Sequence, residues 1–195
     1  MHRNHRKGRA VRETPLRALG GLALLVGLLA IPGSAQAQEA YSFTVAGLGS
    51  VGGSPDAEPG DDLSNTGYQV NLGMVTDSRT HVAVRIGQLG LDQDEFFGSL
   101  REAELTYATF AGEYRFNEGW YDSGVYLGLG GYRLEGVDLD NRDSEDTAVG
   151  LAIGFTGEFK VNRWMGVLLE LSGHWADFEE SQVFGMAHGG LAVHF

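Results

Sequence analysis

From Tyr41 onward the chain alternates between apolar and small or polar residues, and no stretch holds a helical period. In the first segment Tyr41, Phe43 and Val45 share one face, and Ser42, Thr44 and Ala46 the other. Tyr68, Val70, Leu72 and Met74 oppose Gln69, Asn71 and Gly73; Val82, Val84 and Ile86 oppose His81, Ala83, Arg85 and Gly87. The fourth segment sets Ala103, Leu105, Tyr107, Thr109 and Ala111 against Glu104, Thr106, Ala108, Phe110 and Gly112. In the fifth, Val125, Leu127 and Leu129 oppose Tyr126 and glycines. The sixth sets Val149, Leu151, Ile153, Phe155 and Phe159 against Gly150, Ala152, Gly154, Thr156, Glu158 and Lys160. Met165, Val167, Leu169 and Leu171 oppose Gly166, Glu170, Ser172 and His174 in the seventh, and the eighth runs from Val183 to Phe195. Each of the eight is near the length a tilted strand needs to cross a bilayer.

The second face is mostly Gly, Ala, Ser, Thr and Asn, which suits the crowded inside of a narrow barrel. The apolar face needs either lipid or a second packed sheet. The connections decide between them. Residues 51–65, 76–80, 92–101, 117–119, 135–146, 162–163 and 175–182 alternate long and short. Up-and-down transmembrane barrels alternate in this way, whereas a Greek-key sandwich has no reason to. The reading is all-β: an eight-stranded antiparallel up-and-down transmembrane barrel. Its lipid face holds Val82, Val84, Ile86, Leu127, Leu129, Leu151, Ile153, Val167, Leu169, Leu191 and Val193. Tyr41, Trp120, Tyr121, Trp164 and Phe195 lie beside the short turns, and Phe96, Phe97, Trp175 and Phe178 beside the long loops, as two interfacial girdles would.

Residues 1–37 read as an address. A basic stretch precedes the apolar run "LGGLALLVGLLAI", then a Pro-Gly-Ser break, then Ala35-Gln36-Ala37. That is a cleaved secretory signal peptide, with cleavage expected before Gln38 and a barrel domain over residues 38–195. Its 13 apolar residues are too few to span a hydrocarbon core of about 30 Å.

Composition narrows the function classes. The chain has no cysteine, so it offers no disulfide, thiolate nucleophile or Cys-ligated metal. Six of its 14 basic residues lie in residues 1–37, while 25 of its 26 acidic residues lie beyond. A chain this acidic repels a phosphate backbone, so no nucleic-acid partner is expected.

With these features the chain resembles the small outer-membrane β-barrels of Gram-negative bacteria, the OmpA-like, OmpX-like and porin-like group. "VYLGLGGYRL" and "GGLAVHF" carry most of the likeness. The resemblance implies an outer-membrane location among lipid and lipopolysaccharide. It also implies that the assembly machinery reads Leu191, Val193 and Phe195 at the C-terminal strand, and that this strand closes the barrel against the first.

Seven residues are expected in the lumen as a paired polar network or pore lining: Arg85, Glu104, Glu158, Lys160, Glu170, His174 and His188. Eight strands leave little room beyond side chains, so paired plugging is favoured over a narrow channel for small solutes. Some barrels of this group modify lipid A. Here Ser172, His174 and Glu170 share a strand face at about 7 Å intervals, too far for a nucleophile–base hydrogen bond. No enzymatic activity is expected. "DLDNRDSED" (138–146) has Arg142 and Asp143 where a calcium loop needs a ligand and Gly, so it reads as a solvated acidic loop. No cofactor or resident metal is expected. The function expected is structural or interactive, through acidic loops rich in residues such as Asp61, Asp94, Asp140 and Asp177; the oligomeric state stays open.

Overall fold

The computed structural model describes residues 42–53, 65–77, 79–91, 101–118, 120–138, 140–178 and 182–195. The signal-peptide reading, Tyr41, Phe96, Phe97 and many of the loop acids lie outside them. Eight strands follow in order: β1 (Phe43–Gly53), β2 (Thr66–Asp77), β3 (Thr80–Gly90), β4 (Arg101–Glu118), β5 (Tyr121–Val137), β6 (Asp143–Asn162), β7 (Met165–Ala176) and β8 (Gln182–His194). Each pairs antiparallel with the next, and β8 returns to β1 to close the barrel.

Closure runs over the register Thr44↔His194 to Gly53↔Gly185. At its end Phe195 N–H donates to Phe43 O at 2.9 Å, and Phe43 N–H to Phe195 O at 3.3 Å. The sheet therefore has no open edge, which hydrocarbon could not satisfy.

The outer surface is apolar. Phe110, Leu127, Leu129, Val149, Ile153, Phe155 and Leu171 are each at least 60% exposed. So continuous a patch exceeds what a water-soluble monomer carries. Trp120 and Trp164 stand exposed at the turn end, and Trp175 is exposed toward the loop end. Phe178 departs from the expected girdle: it is buried with the apolar cluster inside the barrel.

Inward glycines make room for inward tyrosines. A Cβ on Gly87 would lie 2.4 Å from the Tyr107 ring, and one on Gly154 would lie 2.6 Å from the Tyr126 ring. Both glycines are the direct cross-strand partners of those tyrosines. The Tyr107 hydroxyl donates to Gln69 Oε1 at 2.7 Å, and the Tyr126 hydroxyl to Glu170 Oε1 at 2.8 Å.

The loop between β5 and β6 is shorter than expected. The ladder continues through Leu134↔Asp146 and Glu135↔Glu145 to Val137↔Asp143, leaving only residues 138–142 as the connection. There Arg142 N–H donates to Asp138 Oδ1 at 2.8 Å, and Asn141 is left-handed at φ 63°. The charges misled the boundary. Beyond the lipid, a strand is held by its backbone ladder and tolerates acidic side chains on both faces. The expected turn at 162–163 is real: Asn162 Oδ1 accepts from the N–H groups of Trp164 and Met165.

Candidate functional site

Among the described residues the buried charges converge in the lumen, in layers along the axis. At the turn end Arg115 Nη1 donates to Glu158 Oε2 at 3.1 Å and Nε to Glu113 Oε1 at 2.8 Å. His194 Nε2 contacts Glu158 Oε1, and its Nδ1 lies 3.1 Å from Thr44 Oγ1. Lys160 pairs with the buried Asp122 at 2.8 Å.

The middle layer is built on Arg85, 1% exposed, and Glu170, 2% exposed. Arg85 bridges two carboxylates, giving Nη2–H to Glu113 at 2.8 Å and Nε–H to Glu170 at 3.2 Å. Its guanidinium stacks on Tyr126, 3.7 Å from the ring centroid. Glu170 accepts from four groups on three other strands: Gln69 and Asn71 of β2, Arg85 of β3 and Tyr126 of β5. Glu113 accepts a further bond from Thr156 at 2.8 Å. Two arginines thus face three glutamates, each carboxylate in charge-assisted bonds, as buried charge requires. Asn71 Oδ1, Arg85 Nη1 and Thr109 Oγ1 hydrogen-bond to no other described residue, although they sit in register on adjacent strands.

Above this lies a chain of hydroxyls and imidazoles. Tyr132 donates to Leu151 O, so it accepts from His174 Nδ1–H, 3.0 Å away. With both imidazoles neutral, the remaining directions follow. Ser172 donates to His174 Nε2, His188 Nε2–H donates to Ser172, and Ser50 donates to His188 Nδ1. The Ser172–His174 contact of 3.0 Å corrects the expected 7 Å separation, because the imidazole folds back along its strand. No carboxylate orients either imidazole. His174 Nδ1 meets Tyr132 and His188 Nδ1 meets Ser50, so the serine–histidine–acid arrangement of an acyl transferase is not formed here.

The loop end of the lumen is apolar. Leu89, Leu105, Tyr107, Tyr132, Phe178 and Phe184 belong to one buried cluster.

The placement of the residues expected in the lumen is mixed. Arg85, Glu158, Glu170, His174 and His188 are buried there. Lys160 faces inward only at the turn-end rim, where it is partly exposed. Glu104 lies on the outer face, because β4 presents its odd positions inward: Ala103, Leu105, Tyr107 and Thr109 are buried while Phe110 is 60% exposed. The same inversion hid Glu113 and Arg115. The signal was Phe110 with Phe116, the bulkiest fully apolar side chains of that strand, both at even positions and both exposed. Leu191 and Phe195 are exposed on the outer face and Val193 half-buried beside them, paired with Gly47, Phe43 and Val45. Among the described residues no group of three His, Asp or Glu is placed to hold a metal ion.

No family model and no curated protein matches the chain. Solved structures do. The chain superposes on Neisserial surface protein A with a TM-score of 0.61 at 12% identity, covering 80% of this chain and 97% of that one. On the N-terminal β-barrel domain of Pseudomonas aeruginosa OprF the score is 0.60 at 13% identity, covering 79% and 97%. On the outer membrane protein OprG of the same organism it is 0.53 at 13% identity, covering 83% and 99%. The fold is that of the small eight-stranded outer-membrane barrels.

Proposed function

We propose that the protein is an integral, non-enzymatic β-barrel of the bacterial outer membrane, sealed along its lumen, that acts through its loop-end surface. The single observation that carries this reading is the pairing of an apolar layer with a buried ion-pair network in series within one narrow lumen. The apolar belt outside supports the membrane assignment. The acid of the loop end supports a surface role: the β5–β6 hairpin alone carries Glu135, Asp138, Asp140, Asp143, Glu145 and Asp146 against Arg133 and Arg142. A barrel that spends its interior on pairing presents its variable chemistry on its loops.

The test is refolding of residues 38–195 into lipid vesicles, confirmed by a heat-sensitive gel shift, followed by recording in a planar bilayer. A folded and silent barrel is expected. Discrete conductance steps would replace this reading with a narrow pore.

A further inference from the structure

Closure removes the edge that hydrocarbon would meet, but three strands run on past the barrel at the loop end. β4, β5 and β6 have 18, 17 and 20 residues, against 11 to 13 in the other five. β6 pairs with β5 as far as Val137↔Asp143, yet with β7 only as far as Gly150↔Ala176. Trp175, in register with Leu151, stands exposed at this end, where an interfacial ring belongs. From Leu151 the strand continues for about 26 Å to Asp143, at the usual rise per residue.

The last bond between β6 and β7 shows which groups face the gap. Asp177 N–H donates to Val149 O at 3.0 Å. Alternate residues of a strand turn their N–H and C=O to the same side, so Thr147, Glu145 and Asp143 present theirs where β7 has ended. Among the described residues none pairs with them there. The connection from Ala176 to Gln182 has five residues, whereas following six residues of edge and returning takes about twelve. An open sheet edge therefore stands clear of the lipid, and such an edge is a template for an added strand.

Charge selects the occupant. β5, β6 and their turn carry Glu135, Asp138, Asp140, Asp143, Glu145 and Asp146 against Arg133 and Arg142. A second copy of the edge, laid antiparallel about its middle, would set Glu145 opposite Glu145, and like charges directly opposed destabilise a sheet. A strand with Lys or Arg at alternate positions meets Asp143 and Glu145 instead. The acids bar self-association and leave the ladder open to a basic segment.

We propose that the loop-end edge of β6, residues 143–148, binds an extended basic segment of a partner protein by strand addition. The proposal deepens the surface role read above and rests on it.

To test it, the full chain is expressed in a Gram-negative host and the barrel is placed in phosphatidylcholine nanodiscs. These hold no lipopolysaccharide, whose phosphates would compete for a basic probe. The probe is the peptide KVKVKVK, titrated by calorimetry, with amide hydrogen exchange read on the barrel. Its counterpart is the same peptide N-methylated throughout, which keeps every charge but donates no backbone hydrogen bond. The plain peptide is expected to bind about tenfold more tightly, the worth of one or two backbone hydrogen bonds, and to slow exchange at Glu145 and Thr147. Thr147→Pro removes an edge N–H without changing any charge or the ladder with β5, and should bring the two peptides level. The peptide pair decides the matter on the parent chain if that variant does not insert. Equal affinity for the two peptides, or a tenfold preference kept by Thr147→Pro, would mean that the acids attract the probe without the edge. Either result, or no binding at all, overturns the edge site and leaves the surface role standing. A chain that does not enter the nanodisc as a heat-shifting barrel overturns the membrane reading and the site with it.

Discussion

At the residue scale, the fold depends on how few buried charges lack a partner. Arg85 is the joint of the network: its removal leaves Glu170 with three neutral donors, and Glu113 with Arg115 and Thr156. Arg85→Met keeps the volume but strands part of that charge. It should lower stability by about 3–5 kcal/mol, read as a lower urea midpoint for unfolding from vesicles. Arg133→Met is the control, because its pairs with Glu135 and Glu145 are exposed on both sides. It should leave the urea midpoint near that of the parent. Equal costs for the two would mean that the central network is hydrated in solution and that its burial does not set its worth. Alternation was enough to find Arg85, Glu158 and Glu170 in the sequence. It could not find their partners, because Gln69, Asn71 and Tyr126 come from strands far apart in the chain and meet Glu170 only once the barrel is curved shut.

At the element scale, period-2 patterning states which residues share a face, not which face is inside. In six strands the bulky apolar set lies outward along most of the length, so the distinction was readable; in β8 it turns inward at the loop end, with Phe184 and Met186 buried. In β4 it was not, because the lumen at the loop end is itself apolar: Leu105 and Tyr107 are core residues, and Glu104 is the outward one. The glycine–tyrosine pairs were equally hidden, since Gly154 and Tyr126 are 28 residues apart in sequence and adjacent only in register. Their packing is specific. Gly154→Ala puts a methyl 2.6 Å from the Tyr126 ring and 2.5 Å from Leu171 O. The ring must then lift away from the strand, and its hydroxyl withdraws from Glu170. A loss of about 1–3 kcal/mol is expected, typical of overpacking. Gly112→Ala, on the outer face of β4 where an added Cβ meets nothing within 4 Å, should leave the unfolding midpoint near that of the parent. If both changes are silent, the tyrosines have other places to go and the fitted rings are not what holds the strands at this spacing.

At the scale of the whole molecule, two unlike barriers stand in series along one axis. The apolar layer at the loop end excludes ions because it offers them no hydration. On the proposed reading the ion-paired layer excludes them because its charges are already engaged with one another and eight strands leave little room beyond side chains. Either should suffice alone. Phe184 lies at the centre of the first layer and is fully buried, with His174 as its cross-strand neighbour. Phe184→Ala should cost about 3–5 kcal/mol of stability, the usual range for a buried phenylalanine. It should still give a silent bilayer, because Arg85, Glu113 and Glu170 remain beneath the opening. Urea unfolding and single-channel recording on the same preparation read the two effects separately. Discrete steps from Phe184→Ala would make the aromatic layer the sole seal, and the charged residues below it would then be the lining of a pore rather than a plug.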